Sequence, residues 1–281
     1  MMRQKSFEQD KPALYLVATP IGNLSEMTPR AIEILQQVDV IAAEDTRMTM
    51  KLLTHFHIHT RCIAHHMHNE KKSAQGLLHL LQEGKSVALV SDAGYPLLSD
   101  PGQSAVELII QADFAVIPIS GANAMLNALV ASGLAVQPFY FFGFLSSGTS
   151  QAQKECEKLK DLDCTLIFYE APHRIVKTLK LFLEVFGDRK ICLARELTKK
   201  HEELIRGNIS EVLLVAEGCK GEMVLVLEGK VLQKQHPTEE EMIQQVDSLT
   251  ATGLSVSDAI KQVAKELNVA KNEIYNLVHK K

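Results

Sequence analysis

Short apolar runs alternate with longer amphipathic stretches through the first half of the chain. Runs at residues 14–19, 38–43, 86–90 and 114–117 have the length and composition of buried strands. This alternation predicts a mainly parallel sheet with helices on both faces. We therefore expect an N-terminal α/β domain over residues 12–121. The helices predicted in this domain cover residues 29–37, 46–55, 71–83 and 102–111. A further helix is predicted at 122–131, at the start of the next domain.

The pattern changes after residue 137. An aromatic run at 139–142 precedes a linker-like stretch at 146–150, and fewer helical segments follow. Apolar runs predict further strands, so we expect a second α/β domain with a mixed sheet over residues 122–234. The predicted strands cover residues 165–169, 190–194, 203–206 and 223–227, and the predicted helices cover 151–160 and 172–186.

Residues 235–281 are predicted to form a small helical domain. Thr238 and Glu241 have the spacing of a capping box, and Ser257 is expected to cap a second helix. A turn and a third helix over 271–279 complete a pattern that resembles a helix-turn-helix. From Asp258 to Lys281 five lysines stand against three acidic residues, a bias that is consistent with contact with phosphates and equally with a solvated helical cap.

Composition excludes several classes of protein. The 281 residues carry a formal net charge of −4, so the chain as a whole does not attract nucleic acid, although a local basic patch would suffice. The five cysteines are scattered without CxxC spacing, which is typical of free thiols in a reducing compartment. The sequence contains neither a membrane-length apolar segment nor an N-terminal secretion signal. We therefore expect a cytoplasmic protein without a membrane partner.

Three glycine-containing loops directly follow apolar runs, at residues 19–24, 91–96 and 119–124. In open α/β sheets, ligands bind beyond the carboxyl ends of the strands. Glycine allows the backbone to approach a ligand closely, because it has no Cβ. The three loops therefore predict one cleft for a small molecule, held largely by main-chain groups.

Common phosphate and metal motifs are absent from the sequence. The segment Gly84-Lys85-Ser86 lacks the earlier glycine of a phosphate-binding loop, no GxGxxG opens the first βα unit, and there is no HExxH. Six histidines lie between residues 55 and 68, but carboxylates and cysteines with metal-ligand spacing do not accompany them. We predict no metal site and place His66 and His68 at the mouth of the cleft.

Charged loops follow three of the predicted strands. Glu44, Asp45 and Arg47 come directly after the strand at 38–43, where the cleft is expected. Charged residues also follow the second-half strands, at 169–174 and 195–200. Each of these groups has a simpler explanation as a helix cap or a solvated surface. Their position at strand ends favours a functional role.

Six segments of the chain, in order, resemble the tetrapyrrole methylase-like family, and within it the branch of ribosomal RNA small-subunit methyltransferases I. The resemblance spans nearly the whole chain. Tyr95 stands where the branch more often has threonine, and Ser120-Gly121-Ala122 replaces a more usual Pro-Gly-Pro. The matching segments are residues 17–24, 42–47, 89–96, 166–170, 194–199 and 221–224.

This resemblance implies two α/β domains with S-adenosylmethionine in the cleft between them, in a homodimer. It implies 2′-O-methylation of a cytidine ribose in small-subunit ribosomal RNA at the decoding centre. Transfer to a hydroxyl calls for a general base, for which Glu44, Asp45 and Glu196 are the candidates. The expected donor-binding residues are Ile21, Asp92, Ala93, Gly94, Ser120, Gly121, Asn123, Ala124, Tyr169 and Met223, and the expected RNA-binding residues are Arg47, His66, His68, Arg195 and Lys199.

Two other functions remain open from the sequence. The same fold also methylates tetrapyrrole carbons or related small molecules, which would not require the C-terminal helices. The second alternative is a ribosome-associated binding module without catalytic activity. The abundance of polar groups at strand ends argues against that module.

Overall fold

The computed structural model describes residues 4–7, 11–65, 70–231 and 237–279. The chain divides into two units, Met1–Val231 and Leu232–Lys281. The first unit contains both sheets, so the domain boundary predicted at 121–122 falls inside it, and the boundary predicted at 234–235 lies outside the described residues. Within the described residues, no helix is long and apolar enough to cross a membrane.

Five parallel strands form the first sheet in the order β3-β2-β4-β1-β5. From β1 the chain moves to one edge of the sheet, returns for β4 beside β1, and then crosses to β5. The loops after β1, β4 and β5 are therefore neighbours at the carboxyl ends of these adjacent strands. The strands are β1 (Ala13–Val17), β2 (Val40–Ala43), β3 (Arg61–Ala64), β4 (Val87–Val90) and β5 (Ala115–Ile119).

Helices cover both faces of this sheet, as continuous apolar strands require. Helices α1 (Pro29–Gln37) and α2 (Thr46–His55) pack on one face, and α3 (Glu70–Gln82) and α4 (Gln103–Gln111) pack on the other. Helix α1 begins as predicted, because the Thr28 side chain accepts a hydrogen bond from the amide of Ala31 and Pro29 follows it.

The second sheet is mixed and has the order β6-β7-β10-β8-β9. Its strand β6 pairs parallel with β7, and the remaining pairs are antiparallel. Strand β10 is antiparallel to β7 and β8, so its first residues lie beside the carboxyl ends of those two strands. The strands are β6 (Phe139–Phe144), β7 (Thr165–Glu170), β8 (Lys190–Arg195), β9 (Glu203–Asn208) and β10 (Met223–Leu227).

Alternate residues of β10 face two different cores. Leu225 packs against the helices α6 (Thr149–Leu159), α7 (Ile175–Phe186) and α8 (Ile209–Ala216). Val224 and Val226 pack against α5 (Ala124–Ala131) together with Ile21 from the loop after β1. The second core therefore joins the two sheets through α5.

The C-terminal unit contains α9 (Glu239–Ala251), α10 (Val256–Leu267) and α11 (Lys271–His279) around its own core. The capping box of Thr238 and Glu241 is present. The N-cap predicted at Ser257 is wrong: the side chain of Ser255 accepts the hydrogen bond from the amide of Asp258, so the helix begins two residues earlier than predicted.

Candidate active site

A cavity of about 640 Å³ lies at the carboxyl ends of strands from both sheets. The loops after β1, β2, β4 and β5 line one side of it. The ends of β6, β7 and β8 and the start of β10 line the other side, which is possible because β10 runs antiparallel to its neighbours. The cavity therefore collects the carboxyl-terminal loops that the sheet order brings together.

The loop after β4 is pinned to the loop after β1 by a two-way backbone pairing. Thr19 and Gly94 each donate an amide hydrogen bond to the other's carbonyl, at 2.9 and 3.0 Å. Gly94 has φ of +78°, a conformation that favours glycine. The Tyr95 hydroxyl accepts a hydrogen bond from the Gly121 amide at 3.2 Å, so the loop after β4 also contacts the loop after β5.

Carboxylates dominate the charged side chains of the cavity. Its lining contains six acidic side chains and one lysine, Lys199. Lys199 donates hydrogen bonds of 2.9 Å to both Glu196 and Glu222. Burial opposes the charge on Lys199, but these two hydrogen bonds outweigh it and raise the pKa of the lysine. The cavity therefore favours a cationic ligand and disfavours a phosphate group.

Glu44 lines the cavity and its neighbour Asp45 does not. Asp45 is the N-cap of α2, where its carboxylate accepts from the Arg47 amide at 2.8 Å and pairs with the Arg47 guanidinium at 2.6 Å. The hydrogen bond from the Arg47 side chain lowers the pKa of Asp45 to about 2. The Asp45 amide in turn donates to the Asp92 carboxylate at 3.2 Å, which fixes the β2 loop against the β4 loop.

A buried charged group supports the wall at the end of β7. The Glu170 side chain is 1% exposed, accepts hydrogen bonds from the Thr178 hydroxyl and the Ala171 amide, and pairs with Arg174 at 3.3 Å. Arg174 also donates to the carbonyl of Leu145 at 2.9 Å. The pair therefore ties the end of β7 to the segment that follows β6.

The loop between β4 and α4 approaches the cavity in a strained conformation. Leu97 and Ser99 both have φ of +74°, which is uncommon for residues other than glycine. The same loop places Asp100 in the cavity lining. Burial raises the pKa of Asp100 to about 6, against an opposing hydrogen bond from Ser91 and with a smaller contribution from Asp92.

The chain is similar to a known family of methylases along most of its length. Residues 13–213 match the family model of tetrapyrrole (corrin/porphyrin) methylases, more than half of the chain. The chain belongs to the tetrapyrrole methylase family. It is 46% identical to a Bacillus subtilis (strain 168) protein named ribosomal RNA small subunit methyltransferase I, with 99% of each chain covered. A Synechocystis protein of the same name is also 46% identical, covering 94% of this chain and 96% of its own.

Solved structures share the fold at low identity. Uroporphyrin-III C-methyltransferase of Thermus thermophilus, solved with S-adenosylhomocysteine, matches with a TM-score of 0.57 at 18% identity, covering 79% of this chain and 99% of its own. Diphthine synthase matches with a TM-score of 0.59 at 13% identity, covering 77% and 90% of the two chains. The family and fold class predicted from the sequence are confirmed.

Most residues that the sequence singled out for this methylase are brought together. Of the ten expected donor contacts, Ser120 and Gly121 lie outside the cavity lining. Of the expected RNA contacts, Arg47 and Arg195 also lie outside it, and His66 and His68 lie outside the described residues. The predicted residues that line the cavity are Ile21, Glu44, Asp92, Ala93, Gly94, Asn123, Ala124, Tyr169, Glu196, Lys199 and Met223.

The two arginines already have partners in the methylase structure. Arg195 is paired with Glu203 at 2.5 Å and donates to the Lys220 carbonyl at 3.2 Å. The Arg47 side chain is 87% exposed but is held by Asp45. Within the described residues, no group of three or more potential ligands could hold a metal ion.

Sequence reasoning missed a second set of cavity residues. Tyr95, Glu170 and Gly221 lie within segments that carried the resemblance, so position in those motifs could have identified them. Leu98 to Asp100 and Phe144 lie outside those segments, and no sequence signal marked them. The missed lining residues are Tyr95, Leu98, Ser99, Asp100, Phe144, Glu170, Ala171, Pro172, Leu197, Gly221, Glu222 and Val224.

The Gly121→Ala variant is expected to bind the methyl donor at least tenfold more weakly. A Cβ at this position would stand 2.7 Å from the Cβ and 3.2 Å from the carbonyl oxygen of the buried Ala18, so the loops after β1 and β5 would have to separate. Isothermal calorimetry with S-adenosylmethionine measures the effect. Gly76→Ala is the matched control, because it lies in α3 with open space around it. Equal affinities in the two variants would contradict this account of the loops.

Proposed function

We propose that this chain transfers a methyl group from S-adenosylmethionine to the 2′-hydroxyl of a cytidine ribose in small-subunit ribosomal RNA. One observation carries the proposal: the cavity combines main-chain loops from both sheets with an acidic lining. Relatives that match the chain over its whole length and are named for methylation of small-subunit ribosomal RNA support the choice of substrate.

The residues present fit the donor. When bound, S-adenosylmethionine supplies a methyl group already activated by the positive charge of its sulfonium. The acidic lining stabilises that charge, and the apolar side chains of Ile21, Leu197 and Val224 suit an adenine ring. The backbone of the loop at 92–95 is pinned by Gly94, so it provides polar groups in fixed positions.

Glu44 is the proposed general base. A ribose hydroxyl is a weak nucleophile until it loses its proton, and a positioned base typically contributes 10²- to 10⁴-fold. Of the three carboxylates predicted for this role, Asp45 is occupied as a helix cap. The hydrogen bond from Lys199 lowers the pKa of Glu196, which makes it a poorer proton acceptor. Glu44 lies in the lining on the side of the parallel sheet.

RNA binding is assigned to groups outside the acidic cavity. The exposed guanidinium of Arg47 stands beside the β2 loop and can contact a phosphate while it remains paired with Asp45. The lysines of the C-terminal helices are the second expected phosphate contact. We retain the homodimer and the cytoplasmic location as parts of this proposal.

The test is a transfer assay with labelled S-adenosylmethionine and two acceptors, small-subunit particles and a cobalt-precorrin. We expect label in the particles, recovered after nuclease digestion as 2′-O-methylcytidine. Label in the precorrin alone would support the tetrapyrrole alternative. No transfer, together with no binding of S-adenosylmethionine in calorimetry, would favour the non-catalytic module.

A further inference from the structure

Phe144 is exposed to an unusual degree for a phenylalanine beside a cavity. It lies at the end of β6, is 51% exposed and belongs to the cavity lining. The pairing of β6 with β7 shifts register between Phe141 and Gly143, and Gly143 has φ of +83°. Such bulges re-aim the side chains that follow them and are frequent next to active sites.

The strained loop from the first sheet meets this bulge. A Cβ on Gly143 would lie 3.3 Å from the Ser99 hydroxyl, so the loop and the bulge are in contact. Asp100 follows Ser99 directly and lines the cavity. The Phe144 ring lies edge-on to Tyr169 at 5.4 Å between centroids. Burial raises the pKa of Tyr169, and the charge of Asp100 adds a smaller increase. An aromatic face and a carboxylate therefore flank one part of the cavity.

Strain of this kind is retained where the surrounding structure requires it. The positive φ angles of Leu97 and Ser99 are unfavourable for residues other than glycine, and such residues cluster at binding and catalytic sites. Phe144 has no role in the proposed donor binding, and Asp100 enters it only as one of the six acidic side chains of the lining. Asp100 and Phe144 are therefore available to bind a second ligand beside the methyl donor.

We propose that Phe144 and Asp100 bind the base of the target nucleotide: Phe144 stacks on the ring, and Asp100 accepts a hydrogen bond from the exocyclic amino group and so selects cytosine over uracil. The inference rests on the proposed function and names the residues that choose the base. Unpaired RNA bases are commonly stacked on aromatic side chains and read along their Watson–Crick edge.

Cytosine and uracil differ in the hydrogen-bonding group that they would present to Asp100. An ionised carboxylate only accepts hydrogen bonds, which suits the N4 amino group of cytosine and opposes the O4 oxygen of uracil. With a pKa of about 6, Asp100 is ionised at pH 7.5. The acidic lining also keeps phosphates out of the cavity, so the base and its sugar are the parts of RNA that suit it.

The experiment uses the full chain, labelled S-adenosylmethionine, and reconstituted small-subunit particles with cytidine or uridine at the target position. The kcat/KM ratio of the two particles is the readout. Wild type is expected to prefer cytidine by on the order of 10- to 100-fold. In Asp100→Asn the ratio should fall below about threefold, because an amide can rotate to pair with either base. The affinity for S-adenosylmethionine should stay within twofold.

Phe144→Ala should raise KM for the cytidine particle about 5- to 100-fold with little change in kcat, since stacking contributes to binding. Phe144→Tyr should restore the wild-type KM, because it keeps the aromatic face. Tyr140→Ala is the matched control: Tyr140 lies on the same strand, is 45% exposed and does not line the cavity.

Three results would overturn the inference while leaving the proposed function intact. The first is an unchanged cytidine-to-uridine ratio in Asp100→Asn. The second is a large loss of donor affinity in that variant, which would assign Asp100 to the donor. The third is a KM in Phe144→Ala equal to that of Tyr140→Ala. Wild type that methylates neither particle would overturn the proposed function and this inference together.

Discussion

The Glu44→Gln variant is expected to lower kcat by about 10²- to 10⁴-fold while donor affinity stays within twofold. Glutamine preserves the shape of the side chain but cannot take the proton of the ribose hydroxyl. Glu44 lies in the cavity lining, and the backbone around it is held by the contact between the Asp45 amide and Asp92. Single-turnover transfer to small-subunit particles measures the rate, and calorimetry measures donor binding.

Asp45→Asn is the matched control for that variant. Asparagine caps helices as well as aspartate does, so α2 should stay intact. Loss of the ion pair with the exposed Arg47 should have little effect. We expect turnover within about threefold of wild type. A collapse of turnover in Asp45→Asn with near-normal turnover in Glu44→Gln would transfer the role of base to Asp45.

The Arg174→Met variant is expected to lower the free energy of unfolding by about 3–5 kcal/mol, because it leaves the buried charge of Glu170 without its partner. It also removes the hydrogen bond to the carbonyl of Leu145. Denaturant unfolding of the full chain, followed by circular dichroism, measures the change.

Two further variants make that prediction specific. Lys177→Met, at an exposed position of the same helix, should change the free energy of unfolding by no more than about 0.5 kcal/mol. Adding Glu170→Gln to Arg174→Met should recover most of the loss, because the buried charge is then gone. A cost below about 1 kcal/mol for Arg174→Met would show that the pair does not support the wall of the cavity.

The strand-and-loop order of the chain is readable from hydrophobic pattern alone, and two elements show where that reading fails. The aromatic run at 139–142 predicts no strand, although it forms most of β6, because it lacks alternation and Gly143 interrupts the pattern. Helix α8 was not predicted at all, because Ile209–Ala216 is apolar on nearly every side and lacks helical periodicity. Its capping box of Asn208 and Glu211 was the available signal.

The donor side of the cavity could be predicted because glycine loops after parallel strands converge by topology. Ser120 and Gly121 belong to such a loop but do not line the cavity, since Gly121 packs tightly on Ala18. The other side depends on the antiparallel direction of β10 and on contacts between distant segments. The loop that carries Asp100 contacts the bulge before Phe144, and neither the strained loop nor the bulge can be recognised from a single sequence.

A crystal structure of the chain with S-adenosylhomocysteine tests the central claim most directly. We predict that the ligand occupies the large cavity, with its sulfur facing Glu44 and its remainder between the loop at 92–95 and the strand ends at Tyr169 and Met223. A ligand bound instead in the smaller depression of about 200 Å³ lined by Thr19, Met48 and Lys51 would contradict the account.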